Sequence, residues 1–210
     1  MTIPFFEENK DLLKQWADYL VEFGYDPGNQ LCTDDFAGHL SHNCNLSVKA
    51  IVALAVYTKL SGEEKYMDIA KKMASDWEKD AQNKEGTRLA FDNEKGWSLK
   101  YNMVWDSILD LGLFSEDLKE IALYKTKCNR YGVPLDSRED YTKLDWMFWT
   151  TKLTDDKEYF NKVVEMTKIM FNETSDRVPM TDFYCTKTAF IHNFRHRSVV
   201  GGLFINMREK

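Results

Sequence analysis

Residues 46–60 constrain the fold more than any other segment. Ile51, Val52, Leu54, Ala55 and Val56 follow one another almost without a break, so a helix here is apolar on nearly every side. Such a helix must be buried on every side and needs neighbours all round. The flanking segments supply them. Before it, residues 9–23 carry Leu12, Leu13, Trp16, Tyr19, Leu20 and Phe23 at helical spacing, and Gly24 ends the run. After the turn at Ser61 and Gly62, Tyr66, Ile69, Ala70, Met73, Ala74 and Trp77 trace the single apolar face of an outer helix.

The alternation repeats along the chain. Residues 97–111 form a rich inner segment (Tyr101, Val104, Trp105, Ile108, Leu109) that ends at Gly112. Ser115 is placed to cap an outer helix whose first turn holds Glu116 and Asp117, as the helix dipole favours. Residues 141–153 are dense in aromatics (Trp146, Phe148, Trp149), and Thr154 is placed to cap the outer helix that runs to about residue 171. Residues 197–207 close the series as a last buried helix, with Gly201 and Gly202 permitting close approach of a neighbour. The expectation is an all-α domain over residues 1–210, with about eight helices alternately outer and inner.

The connections are unequal. Inner-to-outer turns are short, whereas outer-to-inner connections span residues 25–45, 82–96, 131–140 and 172–196. In an antiparallel array, connections of one kind fall at one end. Four long loops should therefore share a face, with the N-termini of the inner helices aimed at it. Long loops on a rigid scaffold are where function concentrates, and helix N-termini suit an anionic group such as a carboxylate.

Composition excludes several classes. With 28 basic and 34 acidic residues the net charge is −6, so there is no basic footprint for nucleic acid. No apolar run approaches the ~20 residues of a membrane span, and the first residues lack the basic and apolar regions of a signal peptide. A soluble protein is expected, with its compartment left open. Cys32, Cys44, Cys128 and Cys185 show neither CxxC pairing nor metal spacing. They read as reduced thiols, with a Cys32–Cys44 bridge as the alternative. His39 and His42 lack a third ligand, so no metal and no cofactor is expected.

Five stretches carry a resemblance: TDDFAGHLSHNCNLSVKAI, WSLKYNMVWD, YGVPLDSREDYTKLDW, RVPMTDFY and RSVVGG. Together, in this order, they resemble the glutaminase A family of fungi and bacteria, whose helical domain belongs with the six-hairpin glycosidase-like toroids. The resemblance implies an α/α toroid and hydrolysis of L-glutamine to L-glutamate and ammonia, in proteins that are generally secreted or periplasmic. It also implies an N-terminal β-sandwich and a complete ring of six hairpins. This chain looks like the C-terminal part of that toroid, incomplete by about a third. An incomplete ring should leave apolar flanks on its terminal helices, so self-association or a need for the missing part is expected. A carbohydrate-active relative and a non-catalytic binding or packing remnant stand as alternatives.

Candidate catalytic residues are the loop carboxylates Asp34, Asp35, Asp136 and Asp145, one to donate and one to accept a proton. Asp35, or Asp34, is expected to be the acid, since like charge and Phe36 raise its pKa; Asp136 or Asp145 is expected to be the base. Asp34 and Asp35 as helix caps, and Asp136 with Arg138 as a structural ion pair, are the alternatives. His39, Asn43, Trp97, Lys100, Asn102, Tyr131, Arg138, Lys143, Trp146, Asp182 and Arg197 are candidates to line a small-molecule site for glutamine or a sugar, the arginines and Lys143 as carboxylate partners. Two Ser-x-Lys pairs, Ser47/Lys49 and Ser98/Lys100, resemble a nucleophilic dyad, and no GxSxG occurs. On a helix, side chains two apart diverge, so both are rejected.

Overall fold

The computed structural model describes residues 4–31, 37–84 and 86–207. It is mostly helical, and all eight expected helical positions are occupied. α1 (Pro4–Phe23) lies against α2 (Cys44–Ser61) and α3 (Lys65–Asp80); α4 (Val104–Leu109), α5 (Ile121–Thr126), α6 (Leu144–Thr151) and α7 (Lys157–Glu173) follow, and a 3-10 helix, Ser198–Met207, comes last. α2 is the inner helix its composition demands: Val48, Ile51, Leu54 and Ala55 have no exposed surface. α3 buries one face only, through Tyr66, Ala70, Met73, Ala74 and Trp77. The turn between them closes at Gly62, whose φ of 76° suits a residue without Cβ and whose N–H donates to the Thr58 carbonyl.

The chain departs from the sequence expectation in six places. α1 starts at Pro4, five residues early. Residues 97–100 are not helical; a 3-10 turn, Tyr101–Met103, leads into a short α4 that ends at Asp110, in the left-handed region at φ 50°. The next outer helix is broken, with a 3-10 turn, Glu116–Lys119, separated from α5 by Glu120 at φ 48°; Ser115 makes no side-chain cap. Residues 141–143 form a strand, β1 (Tyr141–Lys143), antiparallel to β2 (Phe183–Cys185), and α6 begins only after it. α7 is capped by Asp156, whose Oδ1 accepts from the Tyr159 N–H at 3.0 Å, and not by Thr154. The final segment was expected as a buried inner helix. It is a 3-10 helix with no buried residue, lying over α6.

Two apolar clusters make the core. One gathers α1–α3 with Met103, Val104 and the 111–118 region; the other gathers Trp97, Leu99 and Tyr101 with α6, α7 and Tyr184. Ile121, Trp149 and Ile205 pack against both. No helix among the described residues is long and apolar enough to cross a membrane.

Candidate functional site

The long loops do share a face, because backbone hydrogen bonds lace each to the next. The first and second are joined by Cys44 N–H to the Leu89 carbonyl (3.0 Å) and Phe91 N–H to the His42 carbonyl (2.8 Å). The second and third are joined by Leu99 N–H to Leu135 and Ser137 N–H to Trp97. The third and fourth are joined by the β1–β2 ladder, in which Lys143 pairs with Phe183.

That ladder builds the main constellation. Lys143 ends β1, Asp145 opens α6, and Asp182 precedes β2, with the Leu144 N–H donating to the Asp182 carbonyl at 2.7 Å. The register brings the Lys143 ammonium between two carboxylates. It donates to Asp145 Oδ1 at 3.1 Å and to Asp182 Oδ2, while Arg197 donates to both Asp182 oxygens through Nε and Nη2. Lys143, Asp145 and Asp182 are at most 4% exposed, whereas the Arg197 side chain stands at the rim, 37% exposed. Lys143 also lies 5.1 Å from the centre of the Trp146 ring, which stacks on Tyr101 with centroids 4.4 Å apart. Gly202 presses on the site from the C-terminal segment: a Cβ there would fall 2.6 Å from the Asp145 Cβ.

The two carboxylates have unlike surroundings. Burial raises the pKa of Asp145, and Lys143 offsets this only in part. Burial also works to raise Asp182, but hydrogen bonds from Arg197 and Lys143 outweigh it and hold its carboxyl below the ordinary range. One acid is thus biased towards its protonated form while its neighbour stays ionised. That bias suits Asp145 to proton donation rather than to the base role expected for it.

Asp136 lies elsewhere. Its carboxylate accepts from the Arg138 backbone N–H, Nε and Nη2, at 2.8, 3.0 and 2.6 Å, the ion-pair reading of the two. With Trp97, Lys127 and Glu139 they line an open cleft of about 410 Å3. Several candidates act in structure. Asn43 caps α2, its Oδ1 accepting from the Leu46 N–H at 2.8 Å. Asn102 ties its turn to the Asn45 carbonyl, and the Tyr131 hydroxyl donates to Glu173. His39 is exposed, and His42 pairs with Asp26 at 2.8 Å. Asp34, Asp35 and Cys32 lie outside the described residues. Cys44, Cys128 and Cys185 are free thiols, so Cys44 forms no bridge, and burial pushes its thiol up to about 12. Among the described residues no three His, Cys, Asp or Glu side chains converge as a metal site.

One rejected pair does meet. Residues 97–100 are not helical, Ser98 forms a β-bridge with Asp136, and Lys100 Nζ donates to Ser98 Oγ at 2.8 Å. Lys100 is fully buried, and its other hydrogen-bond partners are the Ser98 and Thr87 carbonyls. Burial lowers its pKa against the pull of Glu120. The alternation Trp97-Ser-Leu-Lys-Tyr101 was the available signal that this stretch is not helical.

The fold and its loop face define a helical-hairpin domain with paired carboxylates at the head of an inner helix. The chain belongs to the family described as the glutaminase A six helical-hairpin domain, whose model matches residues 2–207. It is similar to a protein named probable glutaminase from Arthroderma benhamiae, with 31% identity over 94% of this chain and 28% of that protein. It is also similar to glutaminase A of Aspergillus oryzae, with 32% identity over 95% of this chain and 31% of that protein. The chain thus spans about three tenths of the length of these curated relatives.

Proposed function

We propose that this chain forms part of the catalytic face of a glutaminase-A-type amidohydrolase, converting L-glutamine and water to L-glutamate and ammonia. The observation that carries the reading is the division of Asp145 and Asp182 across one lysine. Asp145, biased towards its protonated form, gives its proton to the amide nitrogen as the C–N bond breaks, and ammonia leaves. The attacking water loses its proton to a second carboxylate. Asp136 is a poor choice for that base, since three Arg138 donors already occupy its oxygens. Asp34 or Asp35 remains for the role. Asp182 and Lys143 position Asp145, and Arg197 at the rim supplies positive charge for the substrate's α-carboxylate.

The stack of Trp146 on Tyr101 beside these acids favours a second reading, since a sugar ring packs on such a surface. Ammonia release from L-glutamine, set beside sugar release from a glycoside panel, separates the two. On the first reading Asp145→Asn keeps the fold and lowers ammonia release by at least about 100-fold, the lower range of general acid–base catalysis. Sugar release without ammonia release would establish the second reading. Unchanged turnover in a folded Asp145→Asn variant would remove Asp145 from the chemistry.

A further inference from the structure

Two contacts of different kinds hold Arg197 at the rim of the carboxylate cluster. Its Nε and Nη2 donate to the two oxygens of Asp182, which fixes the direction in which the guanidinium points. The flat face of the same group lies on the Phe194 ring, with Cζ 4.1 Å from the ring centre. A ring against one face also sets the tilt, and it attracts the cation through its quadrupole. A long side chain near the surface otherwise keeps much of its rotamer freedom, and ordering it costs entropy.

Phe194 is itself fixed. The hydroxyl of buried Thr181 donates to the Phe194 carbonyl at 2.6 Å and accepts from the Phe183 N–H at 3.0 Å. On either side, the His192 N–H donates to the Phe183 carbonyl and the His196 N–H to the Met180 carbonyl, each at 2.9 Å. The Phe194 ring packs on Phe183 with centroids 5.7 Å apart, and Phe183 packs on Tyr141 at 5.0 Å. Tyr141 and Phe183 belong to β1 and β2. The ladder whose register sets Lys143 therefore reaches Arg197 through a row of three rings, so one scaffold holds both cations of Asp182. Those two cations face one firmly ionised carboxylate, since Asp145 is biased towards its protonated form. The excess positive charge comes to the surface only at Arg197, because Lys143, Asp145 and Asp182 are buried.

We infer that Phe194 is a positioning residue of this site, acting through Arg197: its ring holds the guanidinium at the angle from which it meets the α-carboxylate of an amino-acid amide. This role rests on Arg197 as the α-carboxylate partner, and it adds a specificity. Amides that carry a carboxylate at the α position gain from Phe194, and amides without one do not.

Two substitutions separate the ring face from mere bulk. Phe194→Leu keeps an apolar group against Phe183 and removes the face, whereas Phe194→Tyr keeps it. Circular dichroism checks each fold, and Phe194→Met replaces Phe194→Leu if that variant loses helicity. The first measurement needs no ligand: the NMR signal of the Arg197 Nε–H, assigned by its absence in Arg197→Lys. In the wild type and in Phe194→Tyr this proton should exchange slowly with water, being held between Nε and Asp182. In Phe194→Leu it should exchange about fivefold faster, the equivalent of a typical cation–π contact. The second measurement is ammonia release from L-glutamine and from γ-aminobutyramide, which lacks the α-carboxylate. Phe194→Leu should raise KM for L-glutamine about fivefold and leave kcat within about twofold, as lost uniform binding does. Its KM for γ-aminobutyramide should not move, and Phe194→Tyr should restore the wild-type KM for L-glutamine. An Arg197 signal that is the same in the wild type and Phe194→Leu overturns the inference, as does a KM that rises equally for both amides. A wild-type chain that releases ammonia from neither amide removes the glutaminase reading instead, and the NMR comparison still decides whether Phe194 holds Arg197.

Discussion

Lys143 serves two carboxylates at once, and its removal should reveal how differently they depend on it. In Lys143→Met, Asp145 loses the charge that opposes its burial, so its already raised pKa moves higher. Asp182 keeps Arg197 but loses one of its two cations. Leaving buried charge uncompensated costs about 3–5 kcal/mol, which a urea unfolding curve at neutral pH reads directly. Lys100 provides the opposite case, a buried ammonium with only neutral oxygens in its hydrogen bonds. Its folded pKa lies below the ordinary 10.5, so the unfolded chain binds more protons between those two values. Stability from this group therefore rises as pH climbs towards 10.5. Urea midpoints taken from neutral to alkaline pH should show that rise in the wild type, and Lys100→Met should lack its Lys100 share.

At the scale of elements, Asn43 distinguishes capping from binding. Asn43→Ala removes the acceptor for the Leu46 N–H and should cost about 1 kcal/mol, while Asn43→Ser restores most of it; a binding residue would instead change KM with stability intact. The sequence read α2, α3 and α7 well because burial there follows the 3.6-residue period, which packing against neighbours reinforces. It failed at residues 97–100 and 141–143, where the pairing partner is a distant loop. Leu99 is fixed by Leu135, and Lys143 by Phe183, 40 positions on. Nothing local distinguishes residues 141–143 from the first turn of the helix after them, and at 97–100 the one local signal is the short apolar–polar alternation. The same distance explains the site. Lys143, Asp145, Trp146, Asp182 and Arg197 could each be picked out by type and loop position, but their convergence required the β1–β2 register. Ser98 and Lys100 were dismissed by a helical geometry that residues 97–100 do not have.

On the scale of the whole molecule, the two apolar clusters meet at few side chains, and Trp149 is the largest of them. Its ring packs edge-on against Trp105 at 5.1 Å and Tyr101 at 6.3 Å. Trp149→Ala should therefore weaken the join more than either cluster. We expect a loss of about 3 kcal/mol, near the lower end for a large aromatic, and a thermal transition that broadens or splits, since halves that no longer share contacts cease to melt together. A single sharp transition in that variant would mean that the laced loops, not Trp149, unify the two halves.

Two identical letters in the C-terminal segment carry opposite information about how far this molecule can vary. Around Gly201 there is open space, so a saturation library at that position should return many small residues. At Gly202 an added carbon would meet the Asp145 backbone 2.9 Å from Cα as well as the Trp149 indole nitrogen at 3.1 Å. Backbone cannot turn aside as a flexible side chain can, so the same library at 202 should return glycine alone among variants that keep Asp145 in place. The freedom of the carboxylate to drift over generations is set by a neighbour with no side chain at all.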